Sequence, residues 1–568
     1  MRSFYVISSA ACILGFTNLT ANRDAERVCS QLLIGNYVSA CQEGKEALKN
    51  QQHCQVLWEA YILALSKSGD EQEMLKAWKQ YTQFFPEQKE NRQILENMAW
   101  GVIEKGIHSD SPITRLYSIL GAFFGQDSRG VEILFKGMND DNDIVRGIAV
   151  KVSSGMQDAK LKDKVLYLLR HESNWKIRLE AILAAGKMEI AEAEHELIEL
   201  LSNDLSSIEI RAAAFQALVF LLETPEKEEV IKLAKSDRAD LRVLACKVIG
   251  HAEMQDAVDL VIPLIQDHNP RVREEAIRTI GILRSDKIEN VVPLLKDTNP
   301  QVAITAAWVM TMKDPVLGQE AFRPWLNHSK KEIKRLAAAA LSATGKYGYP
   351  LVLEAFEEAK DPYVKMNLAL GMIGQRIETE KATQALFQTF ASQKENWSWD
   401  ESFFKSLVPS NVNYQNIVPN YPEAINLATR LDILNILAMM NQLGLQDEVK
   451  KFLNRKTWGI TVSASALLLT EGDESAIALV QNLLKDSNPK IKVQAALILS
   501  LWGGGEQGVP TLLEAYHSGD REMKEMILDC LGNVGSYTTI PFFVERLGEP
   551  YPTLRIIAAA SLLKTLYH

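Results

Sequence analysis

Two histidine–glutamate pairs, His171-Glu172 and His195-Glu196, are the residues best suited by type to hold a metal. They lie 24 residues apart. His195 has no second histidine four residues on, so it lacks the spacing of a zinc-protease helix. Gly503-Gly504-Gly505-Glu506-Gln507-Gly508 has the glycine spacing of a dinucleotide loop. An apolar helical run, Ala495 to Trp502, precedes it where a strand is needed, and Pro510 follows closely; it reads as a loop between helices. The sequence shows neither a phosphate-binding loop nor a serine nucleophile elbow. The nine His do not cluster, and the six Cys include no Cys-x-x-Cys pair. No residue is therefore assigned to catalysis, to a cofactor or to a metal, and binding rather than enzymatic chemistry is expected.

What the chain does contain is a repeated structural phrase. Its clearest copy is Asp267-His-Asn-Pro-Arg-Val-Arg-Glu-Glu-Ala-Ile-Arg-Thr-Ile-Gly281. Asn269 is a good helix N-cap, and Pro270 suits the first helical position, where its missing N–H costs nothing. Val272, Ala276 and Ile280 recur at helical spacing and make one apolar face. Gly281 is expected to weaken or stop the helix. With Arg273 as marker, copies fall at Arg146, Arg178, Arg211, Arg242, Ala303, Lys334 and Lys365, then at Arg430, Thr461, Lys492, Lys524 and Arg555. The steps are 30 to 33 residues except for one of 65. An apolar residue usually precedes the marker, alanine usually lies three after it, and an acid often lies six before it. Basic markers and acids could form a ladder along stacked turns. Such a pair, if exposed, contributes well under ~1 kcal/mol and sets register rather than strength.

A period near 31 residues with two helices per unit predicts an all-α, right-handed solenoid of stacked antiparallel helix hairpins. On Asp267-His-Asn-Pro-Arg-Val-Arg-Glu-Glu-Ala, Asp297-Thr-Asn-Pro-Gln-Val and Asp486-Ser-Asn-Pro-Lys-Ile-Lys-Val-Gln-Ala, the chain resembles HEAT-like repeat proteins. Within these it is most similar to the short bacterial type often labelled phycobilisome-lyase-like. The resemblance covers roughly residues 116–568. It implies an interaction scaffold, since most members serve as such; a minority are enzymes or bind nucleic acid. One HEAT-like enzyme family, deoxyhypusine hydroxylase, holds two irons on four His-Glu pairs at equivalent repeat positions. The two pairs here are out of phase with the repeat, which speaks against that chemistry. Nothing in the sequence specifically supports bilin attachment.

Net charge is −10 and the pI is about 5.6. Without a basic stripe, nucleic acid is disfavoured as a partner. No apolar run of membrane-spanning length follows the N-terminus.

Residues 1–21 have the shape of a secretory signal peptide: Arg2, an apolar middle from Phe4 to Phe16, and small residues ending at Ala21. The other reading is an ordinary first helix. The signal reading makes an exported protein the slightly favoured localisation over a cytoplasmic one. Residues 22–90 carry a different, 34-residue shift, with Gly35 matching Gly69, and Trp58 and Pro86 at the places where tetratricopeptide repeats carry them. They resemble two degenerate tetratricopeptide-like hairpins with Gly35 and Gly69 in the turns. Cys29 and Cys41 flank Gly35 symmetrically. They could form a disulfide if the chain is exported; the other reading is two small buried residues. Residues 91–130 are expected to be connecting helices, and residues 131–390 HEAT-like repeats.

Residues 391–421 interrupt the array. Trp397, Trp399, Phe403, Phe404, Tyr414 and Tyr421 make this its most aromatic part. It is either a functional irregular insertion or a degenerate repeat whose aromatics plug a change of curvature. The repeats resume over 422–568. The last helix, Arg555 to Tyr567, is apolar on more than one face, which fits either a docking or homo-oligomer surface or coverage by its own hairpin partner.

The second helix of each repeat is expected to line a concave face. Positions one and five after the marker then point outward from the core and expose Ile304, Trp308, Met366 and Leu370, with Arg278 and Arg335 nearby. Tryptophan beside aliphatics and arginine is the composition of an interaction hot spot; burial of the stripe between units is the other reading. The expected function is binding of a partner protein or peptide on that face. Trp397, Trp399, Phe403 and Phe404 are secondary candidates. A HEAT-like enzyme or modification factor of lyase type is the alternative, and nucleic-acid binding the third.

Overall fold

A computed structural model describes residues 23–392 apart from 126, 204 and 222–226, and residues 397–409 apart from 401 and 402. It also describes positions 433, 436, 437, 440, 445, 447 and 450, and residues 474–568 apart from 502–504. The signal-peptide segment, Tyr414 and Tyr421, and the markers Arg430 and Thr461 lie outside the described residues.

Among the described residues the chain folds as an all-α solenoid of helix hairpins with one short β-hairpin. Two compact units divide it, residues 1–184 with 500–568, and residues 185–499. The repeated phrase does locally what its chemistry predicts. Asn142, Asn269, Asn299 and Asp361 each accept from backbone N–H groups of the turn they open, and Pro270, Pro300 and Pro362 occupy first helical positions. Where an alanine lies three after a marker among the described residues it is buried, as at Ala149, Ala181, Ala245, Ala276, Ala306 and Ala337.

Gly281 lies one residue before the end of its helix. The helix Pro270–Ile282 runs past it, and a Cβ there would lie 2.6 Å from Val309 Cγ2 and 3.1 Å from Trp308 Cζ3. The glycine is there for close approach of the helix Pro300–Lys313.

The charged ladder exists, but it links neighbouring repeats and is largely buried. Arg115, Arg146, Arg242 and Arg273 each donate to the carbonyl six residues earlier, at 2.8–2.9 Å. Each then pairs with the acid of the following turn: Asp140, Glu172, Asp267 and Asp297 respectively. The side chains of Arg242 and Asp267 are both 8% exposed, so the exposed-pair magnitude does not apply. Glu172, half of one His-Glu pair, is a ladder acid. Arg115 places the start of the ladder within residues 91–130.

In the first unit, the helices Arg23–Leu33 and Tyr37–Asn50, then Gln55–Ser68 and Glu71–Phe84, form two hairpins. Gly35 and Gly69 sit in their turns at φ +77° and +76°. Cys29 and Cys41 are free, half-buried thiols rather than a disulfide. Burial, with Glu26 nearby, pushes Cys29 up to about 11. Cys41 is also raised by burial and faces Ser68 and Asp70 across the next hairpin.

The last helix, Pro552–Tyr567, packs on Arg521–Val534, its hairpin neighbour Ile540–Arg546, and the helices Arg92–Gly106 and Pro112–Phe124. Gly106 and Gly121 make room for Ile556, and Gly125 for Leu563. Tyr117 donates to Glu525 at 2.8 Å, and the Arg92 guanidinium lies 5.0 Å from the Tyr567 ring centre. The several apolar faces of this helix are thus covered within the unit, as expected if its own hairpin partners pack on it.

Candidate functional site

The second unit contains the irregular aromatic segment and the predicted hot spot, and it brings them together. Residues 397–409 form an antiparallel hairpin, β1 (Trp397–Asp400) and β2 (Ser406–Pro409), with Trp399 opposite Leu407. It packs on the second helices of the array, Lys331–Ser342 and Pro362–Gly374. The segment is therefore neither a repeat nor helical where it is described.

Asn367 fixes the hairpin. Its Nδ2 donates to the Leu407 carbonyl at 3.0 Å, and its Oδ1 accepts from the Leu407 N–H at 2.7 Å. Both residues are buried. Opposite pairs of an antiparallel ladder alternate between hydrogen-bonded and free, and a side-chain amide satisfies the outward-facing peptide groups. Sequence reasoning missed Asn367. Its signal was an amide inside the otherwise apolar helix Pro362–Gly374.

This hairpin overturns the expected exposure of the hot spot. Ile304 and Met366 are fully buried, Trp308 is 8% exposed, and Leu370 is partly buried against the core cluster containing Trp397 and Leu407. Trp308 packs edge-to-face on Phe403 and Phe404, with ring centres 5.1 and 5.5 Å apart. Its indole N–H donates to the Ala343 carbonyl at 3.3 Å. Arg335 pairs with Asp361 at 2.7 Å and lies over the Tyr363 ring. The predicted surface is an internal seam because the aromatic insertion lies on it.

The secondary candidates divide among three places. Trp397 is buried against Phe390. Trp399 carries the Lys405 ammonium over its ring. Phe403 and Phe404 reach Trp308, and Arg278 stacks on Phe403 with its guanidinium 4.2 Å from the ring centre. Phe404 is buried, whereas Phe403 remains 41% exposed.

The hairpin tip converts the helical face into a groove of about 410 Å³ between the helices Pro270–Ile282, Pro300–Lys313 and Lys331–Ser342. Glu274, Glu332 and Asp400 line it with Arg278, Thr305 and Phe403. Arg278 donates to Glu274 at 2.6 Å and to Glu275 at 2.9 Å. Burial pushes Glu275 above the usual carboxylate range, although Arg278 and Lys247 draw it back. The arrangement offers carboxylates, a π face and a covered hydroxyl. It suits recognition of a side chain more than bond-breaking, since its strongest charges are already paired.

Two stretches, residues 227–311 and 476–563, match the family model described as HEAT repeats. Over those two stretches the helix hairpins match HEAT repeats. No curated protein matches the chain. Solved structures with a similar helical-repeat fold include the complex of CpcE and CpcF of phycocyanin lyase from Nostoc, at 18% identity and TM-score 0.26, covering 40% of this chain and 93% of that one. Kap121p aligns at 12% identity and TM-score 0.33 over 98% of this chain and 82% of its own. Kap95p, from a structure concerned with its binding to RanGDP, aligns at 11% identity and TM-score 0.35 over 94% and 86%. At these scores the likenesses say nothing of function.

Proposed function

We propose that this chain is a protein-interaction scaffold, not an enzyme, and that a partner segment docks on the second-helix face of its second unit, in the groove beside the hairpin tip. HEAT-repeat solenoids fit such a role, because stacked second helices present a continuous surface. The observation that carries the reading is the half-exposed Phe403, held over a groove by Arg278, Phe404 and Trp308. A rigid aromatic with one side left open is typical of interface anchors. The carboxylates beside it oppose a phosphate backbone.

A photo-crosslinking side chain at Gln301, which is exposed and lines the groove, tests this against the same group at Glu320 on the first-helix side. Partner adducts from position 301 and not from 320 are expected. Equal adducts from both positions, or none from 301, would remove the groove as the docking face.

A further inference from the structure

We infer that a pocket in the first unit, between Arg555 and Ser109, binds a carboxylate supplied from outside the arginine ladder. The site is independent of the docking reading above.

Arg115, Arg146, Arg242 and Arg273 each give Nη1 to a carbonyl of their own turn and present Nε and Nη2 as a fork. The acid of the next turn takes that fork with both oxygens, at 2.6–3.5 Å. The acids are fixed in turn, each accepting from the N–H two residues on: Asp140 from Asn142, Asp267 from Asn269 and Asp297 from Asn299.

Arg555 is held in the same way, with Nη1 donating to the Glu549 carbonyl six residues earlier at 2.8 Å. The helices Arg521–Val534, Pro552–Tyr567, Pro112–Phe124 and Asp143–Ser153 pack one on the next in that order. The turn that follows Arg555 in the stack is therefore the one opening Pro112–Phe124. There the place of the acid, six residues before Arg115, belongs to Ser109. Its hydroxyl accepts from the Ser111 N–H at 3.2 Å, as the acids do, but it brings no carboxylate to the arginine.

The consequence is visible at the guanidinium. Neither Nε nor Nη2 of Arg555 makes a hydrogen bond among the described residues, and Nε is buried. Glu71 lies 3.7 Å from Nε, beyond hydrogen-bond reach, and its other oxygen pairs with Lys105 at 2.6 Å. One carboxylate thus serves two cations. His108 adds no charge, since its Nε2 can only accept from the Lys136 ammonium 3.1 Å away. Arg555, Ser109, Lys105 and Glu71 line one pocket of about 300 Å³, with Val102 and Ile556 as its apolar wall.

A buried donor without a partner is costly, and a planar guanidinium fork matches a carboxylate with two parallel bonds. One positive charge in excess suits a monoanion better than a phosphate dianion. The apolar wall suits a carboxylate borne on a short aliphatic stem. A free short-chain carboxylic acid and a glutamate side chain of another protein both present that group.

The test uses the full chain at neutral pH and constant ionic strength. The probes are glutarate and the capped peptide acetyl-Gly-Gly-Glu-Gly-Gly-amide, with its glutamine counterpart and inorganic phosphate as comparators. A ligand that binds the folded state alone raises Tm with a saturating dependence on its concentration. Both carboxylates are expected to do so, at least about tenfold more tightly than either comparator. The tighter of the two identifies the source, free acid or side chain. Ser109→Asp, which places an acid where the other turns carry theirs, should raise Tm by itself and abolish the response to both probes. Arg555→Gln should also abolish it, while Lys160→Gln, on another helix of the unit, should respond as wild type does. A fall in Tm for Ser109→Asp would show that Glu71 already satisfies the fork. That result, an unchanged response in Ser109→Asp, or phosphate binding as well as the carboxylates, would each overturn the inference.

Discussion

Asn367 holds the Leu407 peptide by both its groups, donating to the carbonyl at 3.0 Å and accepting from the N–H at 2.7 Å. Leu407 is fully buried, so nothing else can satisfy those groups if the amide is removed. Asn367→Leu should cost about 2–4 kcal/mol, the penalty for two buried backbone groups left unpaired. Hydrogen exchange at Leu407 should accelerate while the helix Pro300–Lys313 stays protected. A variant with wild-type stability and exchange would show that the hairpin is held by its apolar side chains alone.

The seam beneath the hairpin depends on a glycine. Gly281→Ala would press a methyl against Val309 and Trp308, and overpacking of this kind costs about 1–3 kcal/mol. Because Trp308 is one of the two side chains pressed, its displacement toward solvent should shift the tryptophan emission to the red. An unchanged spectrum together with an unchanged denaturation midpoint would mean that the two helices separate freely.

These two residues also show what the sequence could tell. The helix phrase, its caps, the alanine stripe and the ladder were legible because each is local chemistry at fixed spacing. Gly281 marks the helix end as expected, but its close approach to Val309 and Trp308 was hidden, because a glycine near a helix end looks alike whether it stops the helix or admits a neighbour. The patch of Ile304, Trp308, Met366 and Leu370 was found by periodicity, and so was the aromatic insertion. That one covers the other is a contact between positions about 100 residues apart, which no repeat pattern encodes. Outward from a helix is not outward from a fold when another segment lies on it. The groove was legible only in Arg278 and in the aromatic candidates; Thr305 and Asn367 carried no sequence signal beyond a polar side chain in an apolar helix.

The ladder predicts an acid limit to stability. Burial alone would raise Asp267 and Asp297, but Arg242 and Arg273, with the Asn269 and Asn299 N–H groups, outweigh it and hold both carboxyls below the usual range. Asp140 is lowered chiefly by Arg115. A carboxyl depressed in the folded state stabilises the fold above its unfolded pKa, near 3.9, and that contribution is lost as pH falls through the folded value. Tm followed by circular dichroism should hold steady down to about pH 4 and drop steeply below it. Arg242→Met, which leaves Asp267 buried without its arginine, should lower stability by about 3 kcal/mol at neutral pH and flatten the acid dependence. A Tm that falls evenly from pH 7 would place the titrating groups elsewhere.

The last helix carries the remaining prediction. Ile556 is 2% exposed and fills the space left by Gly106 and Gly121 on the helices Arg92–Gly106 and Pro112–Phe124. Ile556→Ala should therefore cost about 2–4 kcal/mol, the usual penalty for truncating a fully packed aliphatic side chain. Tyr117→Phe, which removes the hydrogen bond to Glu525, should cost about 1 kcal/mol. If both losses appear in urea midpoints that do not move with protein concentration, the helix is covered by its own chain. Concentration-dependent midpoints, or an Ile556→Ala variant as stable as wild type, would instead make this face an interface with another molecule.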